Sequence, residues 1–172
     1  MGMDVYGKAP TSEKGKYFRN NVWWWRPLAD FILDTAPDDL TSRCEHWHLN
    51  DGDGLDAATS KNLAAHLRQS IASGAAEAYI DKRASALAGL PRETCPLCNG
   101  SGVRSDAIGK KAGQDTRKIE EDGHPRNGQV GWCNGCDGRG DKEPWAAGYH
   151  INIENIEGFA VFLEDCGGFE IC

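Results

Sequence analysis

The chain contains no apolar run approaching the roughly 20 residues that a membrane-spanning helix requires, and its opening segment, MGMDVYGKAP, has no apolar stretch of the kind a secretory signal uses. Gly2 follows Met1, but Tyr6 stands where a myristoylation signal carries Ser or Thr. These absences lead us to expect a soluble cytoplasmic protein with no membrane partner. Positive charge is also missing where it would matter. Residues 143–172 hold six acids (Glu143, Glu154, Glu157, Glu164, Asp165, Glu170) and no Lys or Arg, in a chain whose net charge is −7. Acidic surfaces repel phosphate backbones, so nucleic acid is disfavoured as a partner and a protein is expected. Two ligand motifs are incomplete. SEKGK lacks the leading Gly and trailing Ser/Thr of a phosphate loop, and DGDGLD lacks the acidic residue that closes a calcium loop.

What is present is cysteine. Seven occur, and four of them fall into two tight pairs, leaving Cys44, Cys166 and Cys172. In a cytosolic chain, clustered cysteines point to a metal rather than a disulfide framework. CPLCNGSG (95–102) and CNGCDGRG (133–140) both read C-x-x-C-x-G-x-G. Each C-x-x-C turn can present two thiolates to one ion, and the glycines let the backbone bend back around it. Cys95, Cys98, Cys133 and Cys136 therefore form a candidate tetrahedral all-thiolate set for one zinc ion. Four thiolates fill the coordination sphere, which makes the expected role structural.

These two octets resemble the cysteine-rich zinc domain of DnaJ-type co-chaperones. That family carries four copies and binds two zinc ions, each held by two copies distant in sequence. Two copies imply one ion, and the resemblance covers about fifty residues. The His-Pro-Asp loop of a J-domain is absent, since the only His-Pro here lies in GHPRNG (123–128), so co-chaperone activity does not carry over. The flanking segments, MGMDVYGKAPTSEKGKYFRNNVWWWRPL and FLEDCGGFEIC, look like uncharacterised small proteins of bacteria and their phages. That likeness implies host-cell cytoplasm for a phage-encoded protein.

Around the octets the pattern is α+β: a small mixed or antiparallel sheet, three to four helices and an inserted single-zinc knuckle module. The division expected is 1–91 for the first part of the core, 92–142 for the zinc insert, and 143–172 for a strand–helix–strand that completes the core. MDVY suggests a strand. WRPLADFILDTAP suggests a helix with Pro27 in its first turn and Leu28, Phe31 and Ile32 on one face. Asp56 is placed to cap a helix bearing Leu63, Leu67 and Ile71, and AAEAYIDKRASALA suggests another. YHINI alternates as a strand, Asn155 could cap the helix after it, and FEIC would be the last strand. The polar stretch KKAGQDTRKIEEDGHPRNG has no periodicity and reads as a mobile solvated loop.

Two further constellations invite function. CEHWHLN (44–50) alternates like a strand, which would put Cys44, His46 and His48 on one face, where His150 could join them as a second metal or hydrolytic cluster. Read without function, these histidines face solvent or pair with nearby Asp. Trp23, Trp24, Trp25 and Arg26 form the end of a basic-aromatic stretch able to grip a protein or stack single-stranded bases. Read without function, two of the three Trp anchor the core. The leading expectation is a non-enzymatic, zinc-stabilised interaction protein, in a phage setting a modulator of a host component. The alternatives are a nucleic-acid-binding zinc protein and a metal-dependent hydrolase using His46 and His48.

Overall fold

The computed structural model describes residues 2–172, which form two compact units: the chain up to Ala88 together with Gly148–Cys172, and Gly89–Ala147. The first unit is α+β. Its strand β1 (Gly2–Gly7) buries Met3 and Val5 and turns Tyr6 outward, the period-two alternation of a strand with one covered face. Strand β2 (Tyr17–Asn21) pairs antiparallel on one side of β1, with Phe18 opposite Val5. The C-terminal strand, Phe169–Ile171, pairs antiparallel on the other side, with Ile171 opposite Val5. The far edge of that C-terminal strand is covered. Ile171 N–H donates to the Asp53 carbonyl at 2.8 Å, Phe169 N–H to the Leu55 carbonyl at 3.0 Å, and Gly52 N–H to the Ile171 carbonyl at 2.8 Å.

Helix α1 (Val22–Thr35) follows β2 directly because Asn21 stays extended and its side chain accepts from the N–H groups of Trp23 and Trp24. A short turn of helix, α2 (Asp38–Thr41), leads to α3 (Ala57–Ala72), which Asp56 caps by accepting from Thr59 N–H at 2.8 Å. Leu63 and Leu67 of α3 are buried and Ile71 packs at the core margin, as their four-residue spacing predicts. Beyond Gly74, α4 (Ala75–Ala88) lies mostly in solvent, with the Tyr79 ring edge-on to Phe31.

The helix Ile153–Asp165 supplies the centre of the core. The Phe159 ring lies 5.1 Å from Phe18, 5.5 Å from Trp25 and 5.9 Å from both Phe162 and Phe169, centroid to centroid. Arg68 of α3 reaches that helix with Nε 2.8 Å from Glu164 and Nη1 3.0 Å from Glu157.

Four local expectations are corrected. CEHWHLN is a turn wound around one carboxylate: Asp53 accepts from Glu45 N–H at 2.7 Å, His46 N–H at 2.9 Å and Gly54 N–H at 2.7 Å. Three backbone donors on one anion outweigh the β-like alternation. YHINI is not a strand, because Asn152 caps the helix by accepting from Asn155 N–H and so pulls Ile153 into its first turn. Asn155, freed from capping, accepts from Asn20 and donates to the Trp24 carbonyl. Finally, α1 begins at Val22, so Pro27 lies inside it rather than in its first turn. Pro27 has no N–H to give the Trp23 carbonyl four residues back, and His150 N–H takes that place at 2.9 Å.

Truncating Phe159 to Ala removes the ring on which four other aromatic side chains converge. A urea titration should show it less stable by about 3–5 kcal/mol; a shift below about 1 kcal/mol contradicts this packing.

Acid should also weaken the fold. Burial alone would raise the Asp53 pKa, but the N–H groups of His46, Gly54 and Glu45 overcome it and leave the carboxyl below its usual value. Thr59 and Arg43 lower Asp56, and the hydroxyls of Ser12 and Thr11 lower Asp165. A depressed folded-state pKa contributes stability above the unfolded value of about 4, and that contribution is lost as pH falls through the folded value. Urea midpoints should therefore hold steady above about pH 5 and fall below about pH 4. Asp53→Asn should flatten part of that fall.

Candidate metal centre

The unit Gly89–Ala147 begins and ends its metal-binding part with a two-stranded ribbon, β3 (Glu93–Thr94) and β4 (Asp141–Lys142), in which Thr94 faces Asp141. The ribbon continues one step inward, where Cys95 N–H donates to the Gly140 carbonyl at 2.9 Å. This brings the start of the first octet against the end of the second.

The two octets fold alike. Ser101 N–H donates to the Cys98 carbonyl at 3.0 Å, and Arg139 N–H, the matching group, to the Cys136 carbonyl at 2.9 Å. Gly102 N–H points at Cys98 Sγ at 3.3 Å, and Gly140 N–H at Cys136 Sγ at 3.2 Å. Asn99 and Asp137 occupy equivalent positions with φ of 49° and 48°, the left-handed region that Asn and Asp tolerate best among non-glycine residues.

The final glycines of the octets are required by contact as well as by φ. A Cβ on Gly102 (φ 72°) would sit 2.3 Å from the Gly138 carbonyl oxygen, and one on Gly140 (φ 91°) would sit 2.3 Å from that of Gly100. Each octet ends pressed against the backbone of the other.

The four thiols, all buried, lie within 4.8 Å of one another. Cys95 Sγ is 3.9 Å from Cys133 Sγ, and Cys98 Sγ is 3.7 Å from Cys136 Sγ. A disulfide would need about 2.05 Å. A tetrahedron with metal–sulfur bonds of about 2.3 Å has edges of about 3.8 Å, so these residues fit one ion of zinc's size. The irons of a cluster would hold the sulfurs farther apart.

Burial would raise the Cys95 thiol, but the N–H groups of Leu97 and Cys98 prevail and hold it below its ordinary value. Burial pushes Cys133 up and Cys136 up to about 12. Crowded buried thiols resist successive ionisation, and a bound cation would offset that cost.

The polar stretch between the octets is largely exposed, as a solvated loop is expected to be, but it packs Ile119 and His124 against the second octet. Asp106 caps helix α5 (Ala107–Lys111), and Trp132 N–H donates to the Gln114 carbonyl at 2.6 Å. Lys118 and Val130 form a bridge, which brings buried Ile119 behind Gly138. His124, 5% exposed, accepts from Arg126 N–H at Nδ1 (3.0 Å) and lies 2.7 Å from the Asp137 carbonyl through Nε2. An acceptor at Nδ1 leaves Nε2 to carry the proton and donate it to Asp137. The Trp132 ring lies beside His124 and carries the Arg117 guanidinium 4.1 Å from its centroid. Sequence reasoning missed this layer. Its apolar residues are single and widely spaced, and the Asp106 cap before AIGKK was the one local signal.

Cys44, His46 and His48 line one open pocket beside Leu33, Thr41 and Trp47, but their ligand atoms do not gather as a metal site. Cys44 is buried, and burial, helped by the Asp53 charge, pushes its thiol up to about 12. His46 Nδ1 lies 2.6 Å from Asp51, and His48 Nε2 lies 3.3 Å from Asp30. The His150 ring rests 5.4 Å from Trp24. Among the described residues, the four octet cysteines are the one group of three or more His, Cys, Asp or Glu side chains gathered closely enough for a metal. Of the Trp run, Trp25 alone is fully buried, with Nε1 donating to the Trp47 carbonyl at 2.6 Å. Trp23 and Trp24 are half-buried against Tyr149 and His150, and Arg26 is exposed.

Gly102→Ala and Gly140→Ala should each weaken metal binding by about 10–100-fold in competition with a chromophoric chelator. Gly123→Ala, also at positive φ but with nothing within 4 Å of the new Cβ, should bind as the unaltered chain does. Equal binding by all three would contradict the crossed packing of the octets. Comparison with protein-family models, curated proteins and solved structures finds no match, so the geometry above stands as the description of the centre.

Proposed function

We propose that this chain is a non-enzymatic interaction protein in which one zinc ion, held by Cys95, Cys98, Cys133 and Cys136, keeps the 89–147 unit in shape for binding another protein. The buried, closed four-thiol set carries the reading. With four sulfur ligands an ion has no open position for water or substrate, and their donated charge makes it a poor Lewis acid. The ion's contribution is therefore to folding.

In this reading the octets are a reduced version of the DnaJ-type module, used without its J-domain. The protein works in the cytoplasm, and a phage or mobile-element origin would make the partner a host component. The charge of −7 favours a protein partner over a phosphate backbone. His46 and His48 each face their own carboxylate, which supports structural pairing rather than hydrolysis.

The purified protein should contain one zinc per chain by elemental analysis. Cross-linking in the cells that make it should capture a specific protein. Capture should be lost after the metal is stripped, or in Cys95→Ser/Cys133→Ser, and should return when zinc is restored to the stripped wild type. Capture that survives complete stripping would sink the zinc-dependent reading, and retention on single-stranded nucleic acid at physiological salt would replace it.

A further inference from the structure

The two edges of the three-stranded sheet are treated differently. The segment 52–55 covers the C-terminal strand, as described above, whereas β2 ends the sheet on the other side. The register tells which of its groups are spare. Gly7 N–H donates to the Lys16 carbonyl at 3.0 Å, so the residues of β2 bonded to β1 are Phe18 and Asn20, and the alternate residues Tyr17 and Arg19 aim their N–H and C=O groups away from it. Among the described residues, none supplies a hydrogen-bond partner to the backbone of Tyr17 or Arg19, and both residues are exposed. An unpaired row of this kind is a template for another strand.

The charge around this edge selects what can use it. Residues 8–26 carry Lys8, Lys14, Lys16, Arg19 and Arg26 and the one acid Glu13, inside a chain that is acidic overall. At the edge itself Lys14, Lys16 and Arg19 stand with Glu13, which pairs with Lys16, and with Asp4 of β1 opposite Arg19. The Arg19 side chain is 68% exposed, its Nε 3.8 Å from Asp4. A second copy of the chain would bring Lys14, Lys16 and Arg19 beside the same three residues, and like charges facing across strands repel.

We propose that β2 supplies a second docking edge for the protein partner, in addition to the zinc-held 89–147 unit, and that the partner adds to it an extended strand with acidic residues on the solvent face and apolar residues on the inner face. Residues opposite Tyr17 and Arg19 share their face and meet the Arg19 guanidinium. Those between them fall beside Phe18, which is half-buried against Phe159 and Phe162 with Gly158 next to its ring. This proposal rests on the reading of the chain as a protein-binding protein and names the surface and partner chemistry.

The probe is a fluorescein-labelled peptide of alternating glutamate and valine, with a lysine–valine peptide as its control. Anisotropy should show saturable binding of the first, weakening with salt, and none of the second. Arg19→Pro removes one outward N–H while leaving the Phe18 and Asn20 donors in place, and should weaken binding at least about tenfold, or 1.4 kcal/mol. Arg19→Gln, which keeps the N–H, should lose less. On the wild type, amide exchange should show Tyr17 and Arg19 unprotected alone and protected with peptide, while Phe18 and Asn20 stay protected throughout. This arm holds whether or not Arg19→Pro folds. Unchanged exchange at Arg19 under saturating peptide, equal binding of the lysine–valine peptide, or dimerisation through β2 in sedimentation would overturn the proposal. Zinc-dependent capture that is unaffected in Arg19→Pro would overturn the edge alone and leave the interaction reading standing. Peptide binding without zinc-dependent capture would do the reverse.

Discussion

Four sulfur atoms within 4.8 Å of one another stand where the 89–147 unit would otherwise need a hydrophobic core. Its buried apolar residues outside the cysteines amount to Ile119, with Trp132 half-exposed beside it, too few to offset the conformational entropy of so long a segment. Everything else in the unit follows from bringing the sulfurs together. The ribbon of β3 and β4 places Cys95 beside Gly140, and the crossed glycines allow the octets to interlock. The N–H groups of Gly102 and Gly140 aim at sulfur, and the loop behind them ties down through His124 and Arg126 to the backbone of the second octet.

The other unit solves the same problem by ordinary means. An amphipathic α3, the aromatic-rich helix Ile153–Asp165 and three short strands close around Phe159. Several polar groups inside it find distant partners, though His48 Nδ1, Ser60 Oγ, His66 Nε2 and Arg83 Nε have none among the described residues. The carbonyl that Pro27 leaves unpaired is taken by His150, the Trp25 indole finds the Trp47 carbonyl, and Asn155 joins β2 to α1. His46 and His48, conspicuous in the sequence, line one pocket but each has its own carboxylate partner, Asp51 and Asp30.

The sequence made the four clustered cysteines legible as candidate metal ligands because a repeated octet is a local pattern whose meaning does not depend on the rest of the fold. The helices were legible for a related reason: Leu63, Leu67 and Ile71, or Leu28, Phe31 and Ile32, repeat at helical spacing within one segment. Failures occurred where a distant or unusual partner decides the structure. CEHWHLN alternates like a strand, but Asp53 collects its N–H groups from several residues away. YHINI alternates too, yet Asn152 competes with Asn155 for the cap and wins because it lies in extended backbone just ahead of the helix. Strand β2 escaped notice because Tyr17 and Phe18, adjacent aromatics on opposite faces, hide the period of two. The packing of the loop ahead of Trp132 went unseen because it comes from hydrogen bonds to the octet backbone, which composition does not record.

The order of the units along the chain has a consequence for synthesis. The ribosome delivers β1, β2, α1 and α3 first, then the whole metal unit, and only afterwards the helix carrying Phe159 and the strand that pairs with the far side of β1. The first unit therefore emerges with its central aromatic missing and one flank of β1 unpaired, and it must wait in that state while the cysteines are made. The metal unit is contiguous and complete by Ala147, so it can close on an ion while its neighbour is still open. A chain arranged this way can secure its inserted part before its frame, and one flank of β1 stays unpaired until the strand Phe169–Ile171 has been made.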